Sequence, residues 1–230
     1  MIDLIIFDCD GVLVDSEILA AQMTSATLSS IGLTMSTDEV LASLVGHDAM
    51  TVRRKLEDRH GVALPTDFEA DLAVRLDDAF TTRLQPIAGV PELLLGLDRP
   101  YCVASNSGHD RLRRTFATTG LTPLVEGRVF SADDVARGKP APDLFLHAAR
   151  AMGGVPADRC LVIEDSVTGV TAARAAGMRV IGFCGGSHIL PGHDQRLLAL
   201  GAYRILTDHS QLAALPGLSA GLAATATAGA

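Results

Sequence analysis

The sequence predicts an α/β fold: an open parallel sheet covered by helices, with a helical insertion after its first strand. Three observations predict it. Short apolar runs recur as continuous hydrophobic blocks, as strands buried on both faces would. Stretches with helical spacing separate most of these blocks, and strand alternating with helix implies parallel pairing. One segment, residues 16 to about 85, breaks the alternation with consecutive helical patterns and no convincing strand.

Leu4 to Phe7 is the first strand. The inserted segment then reads as helices over Glu17 to Ile31, Asp38 to Leu44, Ala49 to Arg59 and Phe68 to Leu84, punctuated by Gly32, Gly61-Val62 and Pro65. Pro86 and Gly89-Val90-Pro91 mark the return to the sheet. Tyr101 to Ala104 is the second strand, followed by helical spacing over Leu112 to Thr118 and Leu144 to Met152. Cys160 to Ile163, Val180 to Cys184 and Tyr203 to Leu206 complete the strands, with a helix over Val170 to Ala176. Residues 1–15 and 86–215 are thus expected to form the sheet domain and 16–85 the helical insertion. From Pro216 to Ala230 the chain is Ala/Thr/Gly-rich and uncharged, and a loosely docked end is expected.

The 230 residues are 48% hydrophobic and 20% charged, the profile of a globular protein with a sizeable core. A formal net charge of −8 without a Lys/Arg-rich block argues against a non-specific grip on nucleic acid or anionic membrane. A small-molecule partner is expected instead. The start of the chain lacks a signal-peptide pattern and no run approaches 18 apolar residues, so a cytoplasmic location is expected. Cys9, Cys102, Cys160 and Cys184 sit in or at the ends of apolar runs without CxxC spacing, which predicts free thiols. Oligomeric state is not legible.

In open α/β sheets, ligands bind beyond the carboxyl ends of the strands. The first strand delivers Asp8-Cys9-Asp10-Gly11 there, the second Ser105-Asn106-Ser107, and the Cys160 to Ile163 strand Glu164-Asp165-Ser166. Gly138-Lys139-Pro140 lies on a loop between the last two. Carboxylates, a hydroxyl and a lysine would therefore converge on one edge. Oxygen ligands favour Mg²⁺, and Asp8 and Asp165 would neutralise it. Adjacent Glu164 and Asp165 repel each other unless a cation intervenes.

Magnesium suggests a phosphate substrate, and the remaining groups suit one. Lys139 can balance phosphoryl charge, Ser105 can donate a hydrogen bond, and backbone N–H groups at Asn106 can form an anion site. Asp8 is the candidate nucleophile, forming an aspartyl-phosphate. Asp10, two residues on and facing the same side, is the candidate general acid and base. Ser107 is expected to cap the helix that follows. A calcium loop beginning at Asp8 is disfavoured because Val12 and Leu19 occupy positions that need oxygen ligands.

Asp8-x-Asp10-Gly11-Val12, Ser105 after an apolar strand, Lys139 in Gly-Lys-Pro-x-Pro-Asp and Glu164-Asp165 after another strand together resemble the haloacid dehalogenase-like hydrolases. Within them the match is to the β-phosphoglucomutase-like and sugar phosphatase branch. The resemblance implies a Rossmann-like core, a helical cap over the site and an obligatory Mg²⁺. It also implies Asp8 and Asp165 as direct metal ligands, Asp10 through its backbone carbonyl, and Glu164 directly or through water. "FDCDG" and Phe145-Leu146-His147-Ala148-Ala149 are similar to 6-phosphogluconate phosphatases, with phosphoglycolate phosphatases as another match.

The resemblance leaves two alternatives. Mutases of this branch place a histidine and an arginine where this chain has Ala20 and Ala49, which favours hydrolysis. A non-catalytic phosphate sensor would also combine Asp, Lys and a hydroxyl around Mg²⁺, but Asp10 and the large cap favour turnover. In the cap, Gly46-His47-Asp48 and Arg53-Arg54 are candidate substrate contacts, with a solvated or structural role as the competing reading.

Overall fold

The computed structural model describes residues 1–45, 47 and 49–215. The 216–230 tail, and Gly46 and Asp48 of the cap tripeptide, lie outside the described residues. In chain order the elements are β1 (Leu4–Phe7), α1 (Ser16–Ser30), α2 (Thr37–Ser43), α3 (Ala49–His60), α4 (Phe68–Arg83), α5 (Val90–Gly96), β2 (Tyr101–Ser105), α6 (His109–Thr118), α7 (Thr122–Val125) and β3 (Val129–Ser131). There follow α8 (Asp143–Ala151), β4 (Cys160–Glu164), α9 (Val167–Ala175), β5 (Arg179–Phe183), α10 (His193–Ala199), β6 (Arg204–Leu206) and α11 (His209–Ala213).

Among the described residues the six strands form one parallel sheet in the order β3-β2-β1-β4-β5-β6. Alternate residues of each strand enter different cores. Ile5, Phe7, Val103 and Ile163 pack with Leu93, Leu112 and Phe116 of α5 and α6 on one face. Leu4, Ile6, Cys102 and Val162 pack with Leu144, Phe145 and Val170 of α8 and α9 on the other. The continuous apolar runs follow from this two-sided burial, each large side chain contributing about 1.5–3 kcal/mol.

Among the described residues no strand lies between helices α1 to α4, which share a separate core of Leu28, Met35, Leu56 and Phe68. Ser36 starts α2 with a reciprocal capping box, its side chain accepting from Glu39 N while Glu39 accepts from Ser36 N.

The sequence expectation of five strands missed β3. That strand is three residues long and mostly half-buried, so it shows no apolar run. Expected helix limits otherwise lie within three residues of the observed ones. The short helices α5, α7, α10 and α11, of seven residues or fewer, are too brief for periodicity to reveal them. Cys9, Cys102, Cys160 and Cys184 are all free, the first three buried.

The strand order reverses about β1 and β4. These two central strands feed helices on opposite faces, α5 with Leu93 on one and α9 with Val170 on the other, which opens a crevice at their carboxyl ends. A cavity of about 1270 Å³ lies on that side, lined by Asp10, Ser105, Lys139 and Asp165 from the sheet side and by Leu41, His47 and Lys55 from the inserted helices.

Candidate active site

Register brings the first two acids together. Phe7 pairs with Ile163, and Asp8 N still donates to Ile163 O at 3.0 Å, so Asp8 leaves β1 beside the end of β4. Lys139 reaches between them, its Nζ donating to Asp8 Oδ1 at 2.6 Å and Glu164 Oε1 at 2.7 Å. The same ammonium sits 4.8 Å from the centre of the Phe145 ring. Burial works against its charge, but Asp8 and then Glu164 outweigh it and hold Lys139 above its ordinary range.

Asn106 builds the Lys139 loop. Its Oδ1 accepts from Lys139 N at 2.8 Å and its Nδ2 donates to Lys139 O at 3.0 Å, a reciprocal clamp across 33 residues. Glu164 is held as firmly. Its Oε2 accepts from Ser166 N and Ser166 Oγ, both at 2.8 Å, so both of its oxygens are engaged. Ser166 also caps α9 by accepting from Gly169 N at 3.0 Å, and a Cβ at Gly169 would collide with the Glu164 carboxylate.

Asp165 is divided differently. Its Oδ2 faces His188 Nε2 at 2.8 Å, while Oδ1 is buried without a partner among the described residues. Asp8, Glu164 and Asp165 each offer an oxygen within 4.8 Å of the others. One ammonium against three buried carboxylates leaves negative charge uncompensated. Burial, opposed by Lys139 and reinforced by Glu164 and Asp165, pushes Asp8 well above the usual carboxylate range. Burial, with Glu164 and Glu17 nearby, does the same to Asp165. The orphaned Asp165 oxygen, the oxygen-only donor set and this charge excess fit a hard divalent cation.

Asp10 has the opposite environment. Its Oδ1 accepts from Ser16 Oγ at 2.6 Å and Arg111 Nη2 at 2.9 Å, and its Oδ2 from Ser107 Oγ at 2.8 Å. Burial acts to raise it, but the Arg111 guanidinium and the two hydroxyls outweigh that and hold it below the usual carboxylate range. As it stands Asp10 is an ionised carboxylate, suited to taking a proton; it can give one only after first receiving one.

Ser107 therefore does something other than the expected helix capping. Gly108 is the N-cap of α6, and the Ser107 hydroxyl is turned onto Asp10. Ser105 is buried, and its Oγ accepts from Ser107 N at 3.1 Å, fixing that turn. Arg53 is committed to structure, bonded to Glu57, Glu69 and the Leu64 and Pro65 carbonyls. His47 lines the cavity, 2.5 Å from Lys55 Nζ, which also donates to Ser43 O.

Sequence reasoning missed Ser16, Glu17, Arg111, His188 and His193. Arg111 had a usable signal, since it lies in the first turn of a helix entered from a strand end. The histidines had little, because their loop follows β5 and carries no pattern pointing back to β4.

A family model for haloacid dehalogenase-like hydrolases matches residues 2–177. The chain belongs to the haloacid dehalogenase-like hydrolase family. It is 32% identical over 192 residues to the 6-phosphogluconate phosphatase of Escherichia coli (strain K12), covering 83% of this chain and 86% of that one. Two solved members of the family have closely similar folds. One, a protein of unknown function from Agrobacterium tumefaciens, is 41% identical with a TM-score of 0.86, covering 92% of this chain and 96% of that one. The other, a hydrolase from Deinococcus radiodurans with bound phosphate and sodium, is 37% identical with a TM-score of 0.85, covering 92% and 93%.

Proposed function

We propose that this protein is a Mg²⁺-dependent phosphatase that hydrolyses a small sugar or sugar-acid phosphate through an aspartyl-phosphate. The observation that carries the reading is the buried Asp8, Glu164 and Asp165 cluster, with an excess of negative charge around Lys139, in a member of a hydrolase family. Residues 1–15 and 86–215 act as the catalytic core and 16–85 as the cap.

Asp8 and Asp165 would hold the metal directly, Asp10 would add its backbone carbonyl, and Glu164, with both oxygens already engaged, would join directly or through water. When bound, Mg²⁺ withdraws charge from the phosphoryl group so that a carboxylate can approach it. Asp8 attacks phosphorus, and the bond to the leaving oxygen breaks. Lys139 keeps Asp8 oriented and balances the phosphoryl oxygens, with Ser105 and Asn106 beside them. Asp10, once it has taken up a proton, gives it to the leaving oxygen as that bond breaks; ionised again, it takes a proton from the water that attacks phosphorus in the second step, which releases inorganic phosphate and restores the Asp8 carboxylate.

The substrate class rests on the phosphatase relative that acts on 6-phosphogluconate and on the cap side of the cavity. Lys55 stands there, a cation suited to a second anionic group on the substrate. No helix among the described residues is long and apolar enough to cross a membrane, in keeping with a small phosphorylated metabolite as partner.

The test is phosphate release from a panel of phosphosugars and sugar-acid phosphates, with Mg²⁺ and with chelator. Release that requires Mg²⁺ and is greatest for acid-bearing substrates is expected. Well-folded protein releasing nothing from any of them sinks the reading. Conversion of β-glucose 1-phosphate to glucose 6-phosphate without free phosphate identifies a mutase instead.

Metal binding also has a stability signature. Because the folded state raises Asp8 and Asp165, their protonated forms favour folding below the unfolded carboxylate range, and that stability is lost as pH rises through the raised values. Mg²⁺ competes with those protons. At about 100 times its Kd it adds roughly 2.7 kcal/mol, or about 5–11 °C in Tm for a chain of this size. The gain is expected to be larger at about pH 8 than at about pH 5, because protons on the raised Asp8 and Asp165 compete with the metal more strongly at the lower pH. Thermal unfolding at both pH values checks this, and an equal gain at both counts against a metal at this cluster.

A further inference from the structure

The segment that runs from β5 to the first residue of α10 grips Asp165 at two points. His188 Nε2 lies 2.8 Å from the Asp165 side-chain Oδ2, and His193 Nε2 donates to the Asp165 backbone carbonyl at 2.5 Å. Both acceptors are oxygens, so each histidine presents an N–H at Nε2. The grip leaves Asp165 Oδ1, buried and without a partner among the described residues, as the one to meet a cation.

The imidazole of His188 fits because two residues beside it lack side chains. A Cβ at Gly186 would lie 2.7 Å from the ring, and one at Gly11 would lie 2.8 Å from it while colliding with the Asp165 carboxylate. Gly11 also has φ of +81°, a backbone region that side chains strain to adopt. The glycine after Asp10 therefore turns the chain and also makes room for this pair.

The loop is anchored beyond the sheet as well. Ser187 donates to Asp15 through its N–H at 3.1 Å and through its hydroxyl, just ahead of the first cap helix. Leu190 packs against the core of the inserted helices. A loop held at both domains can hold an imidazole still.

We propose that His188 is a positioning residue for the metal site, fixing the Asp165 carboxylate by one oxygen so that the other is preset for Mg²⁺. An N–H that orients a metal-binding carboxylate spares it the entropy of ordering on binding, and losing such a partner typically costs metal affinity about 10- to 100-fold. This inference rests on the metal reading of the Asp8, Glu164 and Asp165 cluster.

The experiment is calorimetric titration of the full chain with Mg²⁺ alone, for the parent and for His188→Ala, His188→Phe and His188→Gln. Folding of each is checked by thermal unfolding in chelator. Ala and Phe are expected to weaken Mg²⁺ binding about 10- to 100-fold, and Gln, which keeps an N–H donor, to recover part of the loss. Phe fills the space of the ring, so it carries the same expectation should the Ala variant fail to fold. Parent-like affinity in a folded Ala or Phe variant overturns the role of His188 while leaving the metal site intact. Equal weakening by Gln and Phe also overturns it, since packing and not donation would then matter. A parent protein that binds no Mg²⁺ overturns the metal reading itself.

Discussion

Asp8→Asn abolishes turnover, lowering kcat by roughly 10⁴-fold or more, the scale on which removal of a nucleophile is felt. The amide has the shape of the carboxylate and still offers Lys139 Nζ an oxygen where Asp8 Oδ1 now accepts at 2.6 Å. It cannot form the acyl phosphate. The fold should persist, and the metal-free protein should lose little stability, because one of three crowded buried charges is replaced by a neutral group. The measurement is steady-state phosphate release alongside thermal unfolding in chelator. Activity within tenfold of the parent in folded protein removes Asp8 as the nucleophile. A collapse of the fold would instead assign the carboxylate a structural duty.

The sequence made the strand ends legible because two physical patterns coincide there. A strand buried on both faces does not carry a carboxylate in its middle, so the switch from Phe7 to Asp8, or from Ile163 to Glu164 at the last position of β4, marks where the sheet gives way to the crevice. The loop lysine was legible for its Gly138 and Pro140 neighbours, which single out one backbone path. What each group does there was less open to reading. Asn106 was expected to offer its backbone to an anion, and its side chain has the further task of building the Lys139 loop. Glu164, expected among metal ligands, already satisfies Lys139 and Ser166 with both oxygens.

The partners of Asp10 were hidden for a different reason. Ser16, Ser107 and Arg111 come from three segments, and their convergence depends on how α1 and α6 pack over the sheet edge. No local spacing encodes that. The same holds for His188, which meets Asp165 only because β5 lies beside β4 and its loop folds back over Gly11. Local patterns announce where a strand ends. Tertiary packing decides which side chains then face each other.

Lys139→Met tests how far the site depends on its one embedded cation, and the expected effect is large on both stability and rate. The lysine side chain is 3% exposed and donates to both Asp8 and Glu164, whose side chains are 11% and 0% exposed. Methionine matches its length and keeps contact with the Phe145 ring, so the substitution removes charge with little loss of volume. Removing one partner of such a buried pair typically costs about 3–5 kcal/mol, because the other charges stay behind uncompensated. For a chain of this size that is a fall in Tm of roughly 6–20 °C. The sign of the pH dependence follows from Asp8. Without Lys139 its folded-state pKa moves further up, so the penalty is greatest where the carboxylate must be ionised and shrinks as pH falls and a proton takes the place of the ammonium. Mg²⁺ should recover part of the stability at neutral pH but not the rate, since the phosphoryl oxygens lose their balancing charge. Thermal unfolding across pH, with and without Mg²⁺, separates these contributions. A variant as stable as the parent at neutral pH without metal would show that the carboxylates are neutralised by something other than Lys139.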